Sequence, residues 1–246
     1  MGSLSAQILL KHGPMAYMRV TKNRGKEVFN LLHRSFYRNE DISVALGISN
    51  HEECFPEFDK MVKWQLKQGL SIAAVDTDSD RVVAVAINFI YNHSNIEDFY
   101  KAQIEASKHP VSRKNFQFIM DVNKFFNIWE FCKVDMCFES WLDVAPEYRK
   151  RGIAKKLSEL TIDFAKAMKA GNDITFPIDD EELKRPPDQP EIISVISTSG
   201  VSEKLVGKLG FKCAAKVNLN GFVYDGIPLS DKIQNEDYLG YYYLRL

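Results

Sequence analysis

The stretch "VAPEYRKRGIAKKL", Val144 to Leu157, decides how the rest of this sequence is read. It carries five basic residues: Arg149, Lys150, Arg151, Lys155 and Lys156. Such a run is either a basic tract for nucleic acid or nuclear import, or a loop that holds one phosphate-bearing ligand. The residues around it separate the two. Upstream, "CFESWLDV" (Cys137–Val144) alternates as a strand, and Pro146 ends it. Downstream, Ile153, Leu157, Leu160, Phe164 and Met168 form an apolar stripe at helical spacing, and Gly171 stops it, which predicts a helix from about Gly152 to Ala170. An import signal needs no stripe registered behind it. The order is strand, tight loop, helix. The first amides of a helix lack partners and sit at the positive end of its dipole, so a pyrophosphate placed there accepts several N–H bonds. Gly152 lets the backbone approach such a ligand, and Ala154 leaves the helix start unobstructed.

Composition narrows the function classes. The 246 residues are 45% hydrophobic and 12% aromatic, enough for a sizeable core. Thirty-two basic against 33 acidic residues leave a net charge of −1, which argues against a nucleic-acid partner. Cys54, Cys132, Cys137 and Cys213 form no C-x-x-C pair, and the five histidines share no ligand spacing, so no metal is expected. Cys132 and Cys137 read as buried fillers. "DTDSD" (Asp76–Asp80) opens like a calcium loop but lacks the glycine and glutamate that loop requires, and reads as a solvated turn. There is neither a secretory leader nor an apolar run of about 20 residues, so a cytoplasmic protein without a membrane partner is expected.

The remaining pattern predicts one α/β domain over 1–246, with 1–14 as a loose leader and 172–190 as a long, proline-rich, acidic loop. "AYMRV" (Ala16–Val20) reads as a strand, followed by a helix with Thr21 as its cap. A second helix spans Pro56 to Gln68. Leu70–Asn92 is a hairpin, and Ile96–Ser107 and Ser112–Phe126 are helical. Glu191–Thr198 is a strand, Val201–Phe211 a short helix, and the final strands turn at Asn220–Gly221.

R-x-x-G-x-A between a V-x-P strand end and a helix resembles the acetyl-coenzyme A signature of the GNAT acetyltransferase superfamily. Here it is Arg149, Gly152 and Ala154 after Val144 and Pro146, supported by "KLGF" (Lys208–Phe211) after a second strand–helix unit. The resemblance covers roughly 16–246. It implies a mixed, mostly antiparallel sheet flanked by helices and splayed between strands 4 and 5, the ones ending at Val144 and near Thr198. It also implies acetyl-CoA as the acetyl donor, its pantetheine arm along Leu142 and Val144. The pyrophosphate would sit on Arg149, Lys150, Arg151, Gly152, Ile153 and Ala154, with Ser199 and Lys208 as further contacts.

"SFYRNEDI" (Ser35–Ile42) resembles the F-F-x-D-E-P-L motif of insect arylalkylamine N-acetyltransferases. Phe36 and Tyr37 match its aromatic pair and imply substrate contacts. Glu40 matches its glutamate and implies a general base acting through water. Asn39 replaces Asp, and Asp41-Ile42 replaces Pro-Leu. The same resemblance places two catalytic hydroxyls on Thr198 and Ser202, while Val206 stands where other members carry an acidic Tyr. A base is needed because an arylalkylamine, with a pKa of about 10, is protonated at neutral pH. The implied activity is acetyl transfer to the primary amine of an arylalkylamine. A polyamine or agmatine acceptor is the alternative, and a non-catalytic module that binds CoA or a protein partner is the reading from another class.

Overall fold

The computed structural model describes residues 8–176, 178, 189–233 and 238–246. Ten strands and nine α-helices appear among them. An eight-stranded sheet forms the centre, in the order β1-β2-β3-β4-β5-β6-β10-β7. Its strands are β1 (Ile8–His12), β2 (Met15–Arg19), β3 (Ile72–Asp76), β4 (Arg81–Tyr91), β5 (Cys137–Val144), β6 (Ile192–Ser197), β7 (Lys212–Asn218) and β10 (Tyr238–Arg245). A separate ribbon joins β8 (Val223–Tyr224) and β9 (Ile227–Pro228). All neighbours in the large sheet are antiparallel except β5 and β6. The mixed, mostly antiparallel architecture expected from sequence is therefore present. Ile8–His12, expected as loose leader, instead pairs with β2. The pair that splays thus becomes the fifth and sixth strands rather than the fourth and fifth.

β4 is buried along ten of its eleven residues, because helices cover both of its faces. On one face lie α1 (Lys22–Arg34), α4 (Phe55–Leu66), α5 (His93–Ala106) and α6 (Pro110–Phe125). Leu31, Phe58, Val62 and Phe116 of these helices pack on Ile87 and Phe89. On the other face α8 (Ile153–Lys169) lays Ile153, Leu157, Phe164 and Ala165 against Ala84, Ala86 and Phe138. A third cluster joins α3 (Asp41–Ala45) to α6 and the β7–β10 pair through Ile42, Leu46, Phe118, Val122 and Tyr241. No helix among the described residues is long and apolar enough to cross a membrane.

Several local expectations change. Thr21 is the N-cap of α1, but its side chain makes no capping bond. The break near Ser35 opens into two short helices, α2 (Phe36–Asn39) and α3, and a further one, α7 (Ile128–Cys132), follows α6. Asn220–Gly221 is not a two-residue hairpin turn. It closes a single 3-10 turn, from which the chain makes the β8–β9 excursion before returning as β10. Of the expected 172–190 loop, 177 and 179–188 lie outside the described residues. Its start is held, since the Phe176 amide donates to the Gly69 carbonyl (2.9 Å) and the Ile174 carbonyl accepts from Arg19.

Gly69 terminates α4 at φ +69°, and a Cβ there would meet the Phe176 carbonyl oxygen at 2.3 Å. Left-handed strain and this clash act together. Gly69→Ala should therefore lower stability by roughly 2 kcal/mol, read as a lower urea midpoint with unchanged slope. An unchanged midpoint contradicts it.

Candidate active site

β5 and β6 pair at only three positions, Cys137–Ile192, Phe138–Ile193 and Glu139–Ser194. β5 continues to Val144 against β4 alone. The Ala145 amide bonds Val83 on the β4 side (2.9 Å), so alternation turns the Leu142 and Val144 backbone groups toward the gap. This is where the resemblance implies a pantetheine contact. One of those groups is engaged, because Arg149 Nε donates to the Val144 carbonyl (3.0 Å).

The basic loop lies at the open end of this gap. Gly152 is the N-cap of α8 at φ +78°, without a side-chain capping bond, and a Cβ on it would meet nothing within 4 Å. Lys150 is also left-handed at φ +62°. The loop thus presents the first α8 amides to open space, as a phosphate site requires. The Ile153 side chain is buried, so only its backbone is available. The five charges are unequal. Arg149 folds back onto Val144, and Arg151 covers the Tyr148 ring at 4.8 Å and bonds the Glu147 carbonyl. Lys155 and Lys156 both pair with Glu159. Lys150 is exposed, with its side chain projecting from the loop. Lys208 ends α9 (Gly200–Lys208), nine residues from Ser199, so the helix holds it about 13 Å from the end that faces the gap.

Glu40 is the N-cap of α3. Its Oε2 accepts from the Ser43 amide (2.7 Å) and hydroxyl (2.9 Å). Its Oε1 is buried with no partner among the described residues. Burial raises its pKa, opposed by the Ser43 and Ile42 amides and by the Ser43 and Thr198 hydroxyls. The fold therefore brings together Glu40 and Thr198, which are 158 positions apart in sequence. Ser202 is tied differently. It forms a capping box with Ser199, and its hydroxyl lies 2.6 Å from that of Ser197. Its bonds run to Ser197 and Ser199, not to Glu40. Phe36 faces Trp141 with ring centres 4.9 Å apart, and both are half-buried. Tyr37, expected beside it as a substrate contact, is 3% exposed and bonds Asp59 (3.2 Å), so it belongs to the core.

Three features had no sequence signal. Ser35, fully buried where α1 gives way to α2, donates to Asp143 on β5 at 2.8 Å. This bond registers the Glu40 segment against the strand that borders the gap. Glu139 is a second acidic group on the same face. His51, Glu53 and His109 also meet, with ligand-type atoms within 4.8 Å of one another. His109 Nδ1 accepts the Val111 amide (3.3 Å), which leaves the proton on Nε2, facing Glu53.

No protein-family model and no curated protein matches the chain. Solved structures do. Arylalkylamine N-acetyltransferase 2 of Aedes aegypti is 18% identical, with 94% of this chain and 98% of that chain covered and a TM-score of 0.74. A mosquito arylalkylamine N-acetyltransferase-like protein, 5b, is 17% identical over 94% of this chain and 100% of that one, at 0.76. A polyamine N-acetyltransferase of Drosophila melanogaster, described as forming N-acetylagmatine, is 15% identical over 94% and 100%, at 0.71.

The chain has the GNAT fold.

Within the GNAT fold, the gap, the α8 loop and the Glu40–Thr198 contact are this chain's own features, present in its own residues. Asp143 gives one of them a pH signature. Burial raises its carboxyl to about 6, against the Ser35 hydroxyl and the charges of Arg149 and Arg34. A carboxyl raised in the native state holds its proton more tightly when folded. Its contribution to stability is therefore lost as pH rises from about 4 to about 6. Asp143→Asn keeps an acceptor for Ser35 and removes that loss. Measured by urea denaturation, the variant should gain on wild type by up to about 3 kcal/mol between pH 4 and pH 7. A difference independent of pH contradicts this.

Proposed function

We propose that this protein is an acetyl-CoA-dependent N-acetyltransferase acting on a primary amine, with Glu40 as the general base. The carrying observation is Glu40 itself. It is a buried carboxylate with one free oxygen, beside the Thr198 hydroxyl, at a gap in the sheet whose mouth holds bare helix amides. When bound, acetyl-CoA would supply an acetyl thioester. The chain's residues fit it: the α8 amides and Lys150 for its phosphates, and the Leu142 and Val144 backbone along its arm. The open space at Gly152 supports that fit.

The acceptor arrives as an ammonium, which is not nucleophilic. Glu40 Oε1 holds it and takes its proton, directly or through one water. The freed amine would form the C–N bond as the C–S bond breaks, and the second proton it loses in becoming an amide would go to the departing thiolate. Burial suits Glu40 to this exchange, since a raised pKa brings it closer to working pH. Thr198, with the Ser43 hydroxyl, orients the carboxylate.

The motif at Phe36 and Glu40 supports an arylalkylamine acceptor, lined by Phe36 and Trp141. The polyamine or agmatine reading is supported by a different observation, a second, half-buried carboxylate, Glu139. Glu40→Gln should lower kcat by roughly 10²- to 10⁴-fold while calorimetry finds acetyl-CoA affinity unchanged. A variant with wild-type kcat removes Glu40 from the base role, and absence of acetyl-CoA binding by the wild type removes the whole reading.

A further inference from the structure

Glu139, which the transfer chemistry leaves unused, stands at the closed end of the gap. It forms the last backbone rung between β5 and β6, opposite Ser194. Alternation along β5 sends its side chain to the face that also carries Trp141 and Asp143. Phe89 on β4 is level with it across one neighbouring strand pair. The Tyr91 hydroxyl donates to it and lies 3.4 Å from the Ser194 hydroxyl. Tyr100 of α5 and Tyr241 of β10 are close enough for its charge to act on them. Burial among these groups raises its carboxyl to about 7, and no basic residue among the described ones offsets its charge. The side chain is nonetheless only half-buried, so part of it still borders open space.

A carboxylate held by one hydroxyl among tyrosine rings is electrostatically incomplete. A bound cation completes it, and aromatic faces favour that cation further. Glu40 makes the same demand elsewhere. Glu40 adjoins Thr198 and Glu139 is level with Ser194, four residues or about 13 Å apart along β6. A single ammonium cannot satisfy both.

We propose that Glu139 is the second cation site of the acceptor pocket, and that the acceptor is a linear dicationic amine. Its reacting end sits at Glu40 and its distal cation at Glu139. This rests on the N-acetyltransferase reading and names the substrate class of that site. A monocationic arylalkylamine satisfies only one of the two carboxylates.

The test compares cadaverine and agmatine with tyramine in a thiol-release assay on wild type, Glu139→Gln and Tyr91→Phe. Glu139→Gln should raise KM for both dications roughly tenfold or more, as loss of one charge-assisted bond does, and leave KM for tyramine and all kcat values unchanged. Tyr91→Phe keeps the charge and should keep the preference for dications. Equal effects of Glu139→Gln on all three amines, or no effect on any, overturn the proposal. If the wild type acetylates no amine, the N-acetyltransferase reading fails, and calorimetric titration of cadaverine still decides this site. Heat of binding that Glu139→Gln abolishes supports it, and no binding to the wild type overturns it.

Discussion

The arrangement depends on one short ladder, the three-rung parallel pairing of β5 and β6. The pairings on either side of it, β4 with β5 and β6 with β10, are antiparallel and continuous. Were the parallel pairing extended to Val144, the backbone groups that now face the gap would be satisfied by β6, and no ligand could enter the sheet. The separation costs hydrogen bonds that a closed sheet would keep, because each unmade backbone pair in a dry interior is expensive. The chain meets part of that cost locally. Arg149 turns back to cover the Val144 carbonyl, and the capping box at Ser199–Ser202 closes the start of α9. What remains open is aligned with the bare amides of α8.

A second consequence concerns charge. Three acidic groups, Glu40, Asp143 and Glu139, lie on the α1 side of the gap, and burial raises the pKa of each. Two of these groups carry a buried oxygen with no partner among the described residues, Glu40 Oε1 and Asp143 Oδ2, as Glu57 Oε2 does elsewhere. A fold selected only for stability would replace such groups with apolar ones. The proton and cation roles proposed above rest on two of them, Glu40 and Glu139. The Ser35–Asp143 bond links this chemistry to architecture, because it fixes the break between α1 and α2 that delivers Glu40.

Much of the fold was legible in the sequence. β5 and α8 were read almost to the residue, since a strand of alternating character and a helix with a five-residue stripe are strong periodic signals. The tight loop between them, ending at a glycine N-cap, followed from Gly152. The resemblance, not periodicity, singled out Glu40 and Thr198, and the fold then brings the two together. Other features had no local signal. Ile8–His12 carries too few alternating residues to announce an edge strand. Tyr37 looked like a pocket residue because an aromatic pair in sequence does not say which ring points inward. The Ser35–Asp143 and Glu139–Tyr91 contacts join segments far apart in the chain, and short polar residues on strands have no pattern that predicts a distant partner.

The central claim is that acetyl-CoA enters the gap between β5 and β6 and seats its phosphates on the start of α8. Hydrogen exchange by mass spectrometry, with and without acetyl-CoA, tests it most directly. The account predicts slowed exchange confined to the β5 end, Leu142 to Ala145, and to the loop and first turn of α8, Arg149 to Lys156. Protection elsewhere with none at these two segments, or no protection at saturating acetyl-CoA, would contradict it.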